Sequence, residues 1–257
     1  MPGRGFLASR AFFEEANALD FVISKKKENL LCLVQQILDE HGFCIVKGFF
    51  NRGDVIRLVQ TFKNDFSAKN DLRWTGPYKY GMPDFQRLDL GDYAQINARF
   101  SRMFTNYTWN KEGPFAALIN EMINFRNQLF SLTSNSHIYN INGENYCDLP
   151  KVLHYPVGGG FMNRHSDNNG PTPNVLLSLT KRGTDYFEGG VYYIDKQGNF
   201  LDAEEVLEVG DLYLHVQETP HGVRAVDPKK NIDLVSLDGR LAINLSAENF
   251  LFEHPND

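Results

Sequence analysis

Two residues near the middle of the chain, His165 and Asp167, could bind a metal ion together. They stand one residue apart at the end of an apolar segment, so an imidazole nitrogen and a carboxylate oxygen can point at the same cation. The pair alone is weak support for a metal site, because Asp is common enough to follow one of the seven histidines at this spacing by chance. The sequence on either side of the pair therefore decides its interpretation.

The sequence on either side of the pair alternates apolar runs with turn residues. A glycine run at 158–160 precedes it, and an apolar run at 175–179, a Phe-Glu-Gly-Gly turn at 187–190 and a second apolar run at 191–194 follow it. Strands are predicted from residue 137 onward, at 137–140, 152–157, 175–179, 191–194, 211–216, 223–226, 232–236 and 241–246. Many short strands at this spacing are typical of a jelly roll or a barrel.

The N-terminal part of the chain predicts helices around one strand. Apolar residues recur at helical spacing over 28–40, over the segment that follows Asn51, and over 115–132. Gly42 stands where a left-handed C-terminal cap would end the first helix, and Asn51 can cap the start of the second. A buried strand at 43–46 is predicted between these two helices. We expect the third helix to brace one face of the sheet.

Residues 71–110 form a long segment of unusual composition, in which aromatic side chains are mixed with Arg and Lys. Two interpretations stay open. Long ordered loops on a rigid core often carry binding groups, so the segment could be a substrate lid. It could equally be a surface wrap that shields the barrel and binds nothing.

This order of motifs resembles the core of the Fe(II)/2-oxoglutarate-dependent dioxygenases, most closely their prolyl-hydroxylase and phytanoyl-CoA-hydroxylase branches. There a Tyr-x-x-Gly segment, which begins here at Tyr155, leads into His-x-Asp, and a Phe-x-Gly-Gly turn follows. The resemblance covers about residues 152–249. It implies a mainly β fold with flanking helices, a double-stranded β-helix of the jelly-roll, cupin-like kind. One domain would span 1–257, with N-terminal and central helices in about 1–135 and the metal-binding core in about 136–250.

The resemblance also implies a third metal ligand downstream, on a strand that returns beside His165. The family's distal ligand reads His-Gly-Val after a Gly-Asp strand, which matches His221 after the strand that opens at Gly210. His215 is the other candidate, and we expect it to be a core group or one that orients a ligand. His165, Asp167 and His221 would form a 2-His-1-carboxylate triad, which is typical of non-haem Fe(II) oxygenases.

By the same resemblance, the cosubstrate 2-oxoglutarate needs a cation for its far carboxylate, because a buried carboxylate must be paired. An Arg fits best, since its planar fork meets a carboxylate with two hydrogen bonds. Arg240 opens the last predicted strand, as the family's Arg or Lys does, and is the expected anchor. Arg224 is the competitor, but it follows His221 too closely in the sequence. Tyr155 could add a hydroxyl contact to 2-oxoglutarate, or could equally be a packed core side chain.

The activity that the resemblance implies is oxidation, most often hydroxylation, of a C–H bond by O2, with Fe(II) as cofactor and 2-oxoglutarate decarboxylated to succinate. The carboxylate of Asp167 favours oxygenation, because halogenating relatives carry a small residue in its place. The expected substrate is a small polar metabolite, since segment 71–110 mixes aromatic and charged residues. Two alternatives stay open: hydroxylation of a peptide side chain, and a cupin-like isomerase or sugar-binding protein that does not use 2-oxoglutarate.

Composition limits the other functions that the chain could have. A formal net charge of −6 argues against general nucleic-acid binding. No apolar run approaches the roughly 18 residues of a membrane span, and the N-terminus does not read as a targeting segment. The cysteines Cys32, Cys44 and Cys147 form no metal or disulfide pattern, so we expect reduced core thiols in a cytoplasmic protein.

Overall fold

The computed structural model describes residues 20–69, 85–88, 98–99, 101–104, 113–132, 138–141, 143–167, 170–233 and 236–249. The helices in these ranges are α1 (Leu30–His41), α2 (Arg52–Lys69) and α3 (Ala116–Leu129), and a 3-10 turn covers Ala203–Glu205. The strands are β1 (Val22–Ser24), β2 (Phe43–Lys47), β3 (Phe85–Leu88), β4 (Ala98–Arg99), β5 (Ser101–Phe104), β6 (Ile138–Ile141), β7 (Glu144–Pro156), β8 (Gly160–His165), β9 (Asn174–Ser178), β10 (Gly190–Ile194), β11 (Phe200–Asp202), β12 (Leu212–His215), β13 (His221–Val226) and β14 (Gly239–Asn249).

The strands form two sheets. The larger sheet has the order β1-β2-β12-β9-β14-β7-β5-β3, with β6 paired to β7, and the smaller has the order β11-β10-β13-β8-β4. All neighbouring strands are antiparallel except β1 and β2. From β7 to β14 the chain crosses repeatedly between the sheets, since β7, β9, β12 and β14 belong to the larger and β8, β10 and β13 to the smaller. The predicted double-stranded β-helix with flanking helices is confirmed.

The alternation of side chains along β14 separates two apolar cores. Leu241, Ile243 and Leu245 belong to a cluster that includes buried residues of all three helices. Ala242 belongs to a second cluster, to which strands of both sheets contribute. Because successive side chains point to opposite faces of a strand, the even-numbered residues of β14 face the space between the sheets. The helices therefore cover the outer face of the larger sheet, and its inner face is left for a site.

The two predicted helix caps are confirmed. Gly42 has φ of 84°, and its N–H donates to the carbonyl of Leu38 at 2.9 Å, which ends α1. The Oδ1 atom of Asn51 accepts the N–H groups of Gly53 and Asp54 at 2.9 and 3.2 Å, which starts α2. These caps fix both ends of β2, the strand between the two helices. Strand β2 pairs with β12 in the larger sheet.

Some predicted elements differ from the structure. Residues 232, 233 and 236 are not in a strand, so the strand predicted at 232–236 is wrong where the structure describes it. The carboxylate of Asp233 instead accepts the N–H and hydroxyl of Ser236, which makes a turn. Strand β8 was not predicted, because its residues do not alternate between apolar and polar. Of segment 71–110, which was predicted to be a long loop, the described residues form strands β3, β4 and β5. The rest of the predicted lid lies outside the described residues.

The cysteines are only partly as expected. All three are free thiols: Cys44 is buried in β2, Cys147 is half-buried and Cys32 is exposed on α1. The prediction of a core thiol is confirmed for Cys44 and wrong for Cys32, because Cys32 lies on the solvent face of its amphipathic helix. Among the described helices, none is long and apolar enough to cross a membrane.

Candidate metal centre

The antiparallel pair of β8 and β13 brings two histidines together. His165, at the end of β8, is the register partner of His221, at the start of β13, and their ring centroids lie 4.3 Å apart. Asp167 follows β8 by two residues. One ligand atom from each of the three residues lies within 4.8 Å of the others. Residues 165, 167 and 221 are therefore adjacent in space, as a triad requires.

Each of the two imidazoles is held through one ring nitrogen. Nδ1 of His165 lies 2.9 Å from the carbonyl oxygen of Asn163, and Nδ1 of His221 lies 2.9 Å from that of Thr219. A carbonyl oxygen only accepts, so each Nδ1 carries a proton and donates it. The Nε2 atoms lie 3.6 and 3.5 Å from carboxylate oxygens of Asp167. Each Nε2 thus faces the position between the three residues, which is the usual arrangement of metal-binding histidines.

Two further side chains fix the carboxylate of Asp167. Nδ2 of Asn174 donates to its Oδ2 atom at 2.5 Å, and Nε2 of His215 lies 3.1 Å from the same oxygen. Nδ1 of His215 in turn lies 3.1 Å from the hydroxyl of Tyr193. Asn174 and His215 are register partners on β9 and β12, so the sheet itself sets their spacing. His215 therefore contacts the carboxylate from outside the group of three.

The protonation states of Asp167 and His221 suit metal ligands. Burial raises the pKa of the Asp167 carboxyl, but hydrogen bonds with His165 and His215 outweigh burial and hold the pKa well below its usual range. Burial, followed by the charge of His215, lowers the pKa of His221 to about 3. Burial lowers the pKa of His165, but hydrogen bonds to Asp167 and Asn163 raise it above its usual value. Metal ligands must be deprotonated, and the lowered pKa values of Asp167 and His221 favour that state.

The three residues border a cavity of about 160 Å³ between the sheets. Tyr155 and Arg240, the two residues predicted to contact 2-oxoglutarate, border the same cavity. They are register partners on β7 and β14. All five predicted site residues therefore line one space, although they come from four strands and a loop.

Arg240 is a buried cation held by two partners, with 3% of its surface exposed. Its Nε donates to Oε1 of Glu204 at 2.5 Å, and its Nη2 donates to the hydroxyl of Tyr213 at 2.9 Å. Glu204 also accepts the N–H of Val191 at 3.0 Å. It fits there because Gly190 has no side chain, since a Cβ at that position would lie 2.2 Å from Cγ of Glu204. The two bonds use two of the five N–H donors of the guanidinium, and the described residues provide no partner for Nη1.

The sequence matches no protein-family model and no curated protein. The structure is similar to a prolyl hydroxylase from Trichoplax adhaerens solved with a hypoxia inducible factor peptide fragment, at TM-score 0.56 and 19% identity, covering 86% of this chain and 89% of that one. A prolyl-4-hydroxylase from Pseudomonas putida is similar at TM-score 0.54 and 16% identity, and the match covers 86% of this chain and 99% of that one. A 2OG-Fe(II) oxygenase family protein from Caulobacter crescentus is similar at TM-score 0.50 and 13% identity, and the match covers 89% of this chain and 86% of that one. The chain has the fold of the Fe(II)/2-oxoglutarate oxygenases.

In this oxygenase fold, the predicted anchor Arg240 and its competitor Arg224 lie in different surroundings. The guanidinium of Arg224 pairs with Asp202 and lies over the ring of Phe200, and its side chain is 42% exposed. Arg224 does not border the cavity, whereas Arg240 does. Tyr155 is buried, and burial raises the pKa of its hydroxyl, which therefore stays protonated and can donate a hydrogen bond.

Sequence reasoning missed several residues that support the site of the oxygenase fold. Asn174 stands one position before a predicted strand, and the alternation of that strand could have placed it on the inner face with Leu176. Glu204 gave no local signal, because its partner Arg240 lies 36 residues away in the sequence. Tyr193 could have been assigned to the inner face by alternation in its strand, but its contact with His215 depends on how the two sheets face each other.

Proposed function

We propose that this protein is an Fe(II)/2-oxoglutarate-dependent oxygenase, with iron bound by His165, Asp167 and His221. The observation that carries the proposal is that three ligand atoms lie within 4.8 Å of one another, with both Nδ1 atoms engaged by carbonyl oxygens. Two imidazoles and one carboxylate on one face leave other coordination positions open, as in non-haem Fe(II) oxygenases. The fold supports the same assignment, because the similar structures are described as hydroxylases and an oxygenase.

The cosubstrate that we propose is 2-oxoglutarate, with its far carboxylate paired to Arg240. A buried cation that borders the same cavity as the triad suits a buried carboxylate, which needs a charge partner. Tyr155, the register partner of Arg240, would add a hydroxyl contact. When bound, iron and 2-oxoglutarate together supply the oxidation of a C–H bond by O2, with the keto acid converted to succinate and CO2.

The protein's own residues would hold and orient these groups. Asn174 and His215 keep the carboxylate of Asp167 in one orientation, which matters because the groups behind metal ligands set their geometry. Apolar side chains such as Leu176, Val191 and Val223 border the cavity and limit the water in it. Exclusion of water strengthens every electrostatic contact within the site.

For the substrate we propose a small polar metabolite. The cavity of about 160 Å³ is small, and polar side chains border it as well as apolar ones. A peptide side chain is the second candidate, because the Trichoplax prolyl hydroxylase was solved with a peptide fragment. The carboxylate of Asp167 favours oxygenation of either substrate over halogenation.

A cupin-like metal protein that does not use 2-oxoglutarate is the remaining alternative. Such a protein has no need of a buried Arg beside its metal, and this argues for the oxygenase. The ion pair of Arg240 with Glu204 is the feature that favours the alternative, since it already neutralises the guanidinium. Binding of 2-oxoglutarate therefore distinguishes the two functions.

Metal and cosubstrate binding test the proposal. The protein is titrated with Fe(II) without oxygen and then with 2-oxoglutarate, and succinate formation is measured in air. We expect one metal ion per chain and 2-oxoglutarate binding that depends on it. Replacing His165, Asp167 or His221 by Ala should abolish metal binding and the 2-oxoglutarate binding that depends on it. The circular-dichroism spectrum of each variant should stay that of the wild type.

His41→Ala is the matched control, because His41 lies in the last turn of α1 and does not border the cavity. This variant should keep metal binding and succinate formation. A fully active His221→Ala protein would overturn the ligand assignment and reopen His215 as the ligand. Metal-loaded wild type that does not bind 2-oxoglutarate would favour the cupin-like alternative.

A further inference from the structure

A second group of polar side chains borders the cavity, away from Arg240. Asn244 and Ser246 line the cavity from β14, and Lys151, the register partner of Asn244, lines it from β7. Between Arg240 and Asn244 the strand advances four residues, roughly 13 Å at the usual rise of a β-strand. The cavity therefore has two polar parts, one at Arg240 and one at Lys151, Asn244 and Ser246.

Asn244 and Ser246 each carry a buried polar atom without a partner. These are Oδ1 of Asn244 and Oγ of Ser246, and neither hydrogen-bonds to any described residue. Ser246 is 1% exposed, so bulk water does not satisfy its hydroxyl. The great majority of buried polar atoms in proteins have a hydrogen-bond partner. An unpartnered pair of them at the wall of a cavity indicates that a ligand supplies the missing bonds.

The fold does not require polar residues at these two positions. The neighbouring inner position of β14 is Ala242, which belongs to the apolar core between the sheets. On β9, the register partner of Asn244 is Leu176, an apolar residue. An apolar side chain at 244 would therefore extend an existing apolar surface. Packing against these neighbours therefore does not account for the polar side chain at 244.

This part of the cavity lies on the side of the metal centre. Leu245 of β14 pairs with Val175 of β9, so Ser246 and Asn174 come next along the two antiparallel strands. Asn174 is the residue whose amide holds Asp167. A group bound by Asn244 and Ser246 would thus lie close to the triad and apart from Arg240.

We propose that Asn244 and Ser246 form a subsite for a hydroxyl or carboxamide group of the substrate; this rests on the proposed oxygenase function. An Asn carboxamide presents an acceptor and two donors, and a Ser hydroxyl both donates and accepts. A hydroxyl or carboxamide matches them because it also donates and accepts. A carboxylate accepts only, so it leaves Oδ1 of Asn244 unpaired. The group of the substrate that meets Asn244 and Ser246 is therefore one that donates a hydrogen bond as well as accepting one.

Isosteric pairs of small molecules test the subsite. L-Threonine and L-valine differ by a hydroxyl in place of a methyl group, and L-asparagine and L-leucine differ by a carboxamide in place of an isopropyl group. Binding is measured by ligand-observed NMR on protein loaded with Zn(II), which is redox-inert, and with 2-oxoglutarate. We expect the polar member of each pair to bind more tightly, and L-aspartate to bind more weakly than L-asparagine. The same side chains within acetylated and amidated Gly-X-Gly tripeptides distinguish a peptide substrate from a free metabolite.

Variants assign the preference to the two residues. Asn244→Leu and Ser246→Ala should each reduce the preference for the polar isostere roughly 5- to 150-fold, the range expected when a buried polar group loses its partner. Ser178→Ala is the matched control, because Ser178 is a buried serine on the adjacent β9 whose hydroxyl donates to the carbonyl of Thr180. Ser178 does not border the cavity, and its variant should keep the full preference.

The outcomes separate this inference from the proposed function. If 2-oxoglutarate binds but no polar probe exceeds its apolar isostere, free or in a peptide, the subsite is overturned and the oxygenase function stands. An unchanged preference in both Asn244→Leu and Ser246→Ala also overturns the subsite. If 2-oxoglutarate does not bind, the oxygenase function fails, and a polar preference that these two variants remove still supports the subsite.

Discussion

At the scale of single residues, the proposed cosubstrate site depends on the guanidinium of Arg240. Removing one partner of a buried, hydrogen-bonded charge pair costs about 2–5 kcal/mol, because the other charge is left unpaired. At 1.4 kcal/mol per factor of ten, this corresponds to roughly 30- to several-thousand-fold in affinity. We expect Arg240→Ala to weaken 2-oxoglutarate binding by that order while metal still binds, as measured by calorimetric titration. Arg240→Lys should recover only part, since an ammonium makes one point contact where a guanidinium makes two.

The control for this prediction is Arg224→Ala. Its guanidinium pairs with Asp202 and does not border the cavity, so 2-oxoglutarate affinity should change little. The reverse result, a large loss in Arg224→Ala and none in Arg240→Ala, would mean that the anchor is misassigned. No loss in either variant would place the cupin-like alternative first.

Glu204 would compete with the proposed cosubstrate for Arg240, because its carboxylate already accepts a hydrogen bond from the guanidinium. Glu204→Gln keeps an oxygen that can accept the N–H groups of Arg240 and Val191 but removes the negative charge. Removing one charge of a buried pair destabilises a protein by about 3–5 kcal/mol, and a ligand that supplies the missing charge restores stability. We therefore expect a lower Tm without ligand, and a larger rise in Tm with 2-oxoglutarate than in the wild type, measured by differential scanning fluorimetry.

Glu205→Gln provides the matched control, because Glu205 is the exposed neighbour of Glu204 in the same 3-10 turn. Its Tm and its response to 2-oxoglutarate should equal those of the wild type. If Glu204→Gln gains no more from 2-oxoglutarate than the wild type does, the far carboxylate of the cosubstrate does not meet Arg240.

At the scale of elements, Asp227 ties the turn after β13 to the turn before β10. Its carboxylate accepts the N–H groups of Phe187 and Glu188 at 2.8 and 2.7 Å, and the ammonium of Lys230 at 2.7 Å. Burial raises the pKa of Asp227, but the hydrogen bonds with Lys230 and the two backbone N–H groups lower it below its usual value. The ionised carboxylate therefore stabilises the fold above the unfolded-state pKa, near 3.9, and this contribution is lost as the pH falls through the folded-state pKa.

We expect Asp227→Asn to lower the free energy of unfolding by about 1.5–3 kcal/mol at pH 7, the range for hydrogen bonds to a charged group. The difference from the wild type should shrink below about pH 4, where the unfolded carboxyl takes up its proton. Urea unfolding of the variant and the wild type at pH 7 and at pH 3 measures this difference in the free energy of unfolding. Asp238→Asn, at an exposed carboxylate, should change the stability little at either pH. A difference that does not change with pH would show that the charge of Asp227 is not what ties the turns.

The elements also show how far sequence patterns reach. The inner and outer faces of β14 follow from strict alternation, and the His-Gly-Val motif marks the start of β13, where His221 lies. Strand β8 escaped prediction because its residues, Gly160–His165, do not alternate between apolar and polar. The pairing of Glu204 with Arg240 and of Asn174 with His215 depends on strand order. Strand order is set by contacts between distant segments, which no local pattern encodes.

At the scale of the whole molecule, the described parts of segment 71–110 join both sheets beside the site. Strand β5 pairs with β7 in the larger sheet, in register with residues 152–154. Strand β4 pairs with β8, the strand that ends at His165, in the smaller sheet. One segment thus borders both walls of the space in which the cavity lies. This placement is compatible with a lid and with a wrap, so protection by ligands must separate them.

The lid interpretation predicts that substrate, and not 2-oxoglutarate alone, protects segment 71–110 from hydrogen exchange. A lid closes on the molecule that it covers, whereas 2-oxoglutarate would bind beside Arg240 on the inner face of the larger sheet. Exchange is measured by mass spectrometry on Zn(II)-loaded protein with 2-oxoglutarate, with and without the tightest-binding polar probe of the isosteric pairs. Peptides of α1 are the internal control, because α1 packs on the outer core and should exchange equally in all samples. Equal protection of 71–110 with and without the probe would favour the wrap, in which the segment binds the barrel whether or not the cavity is filled.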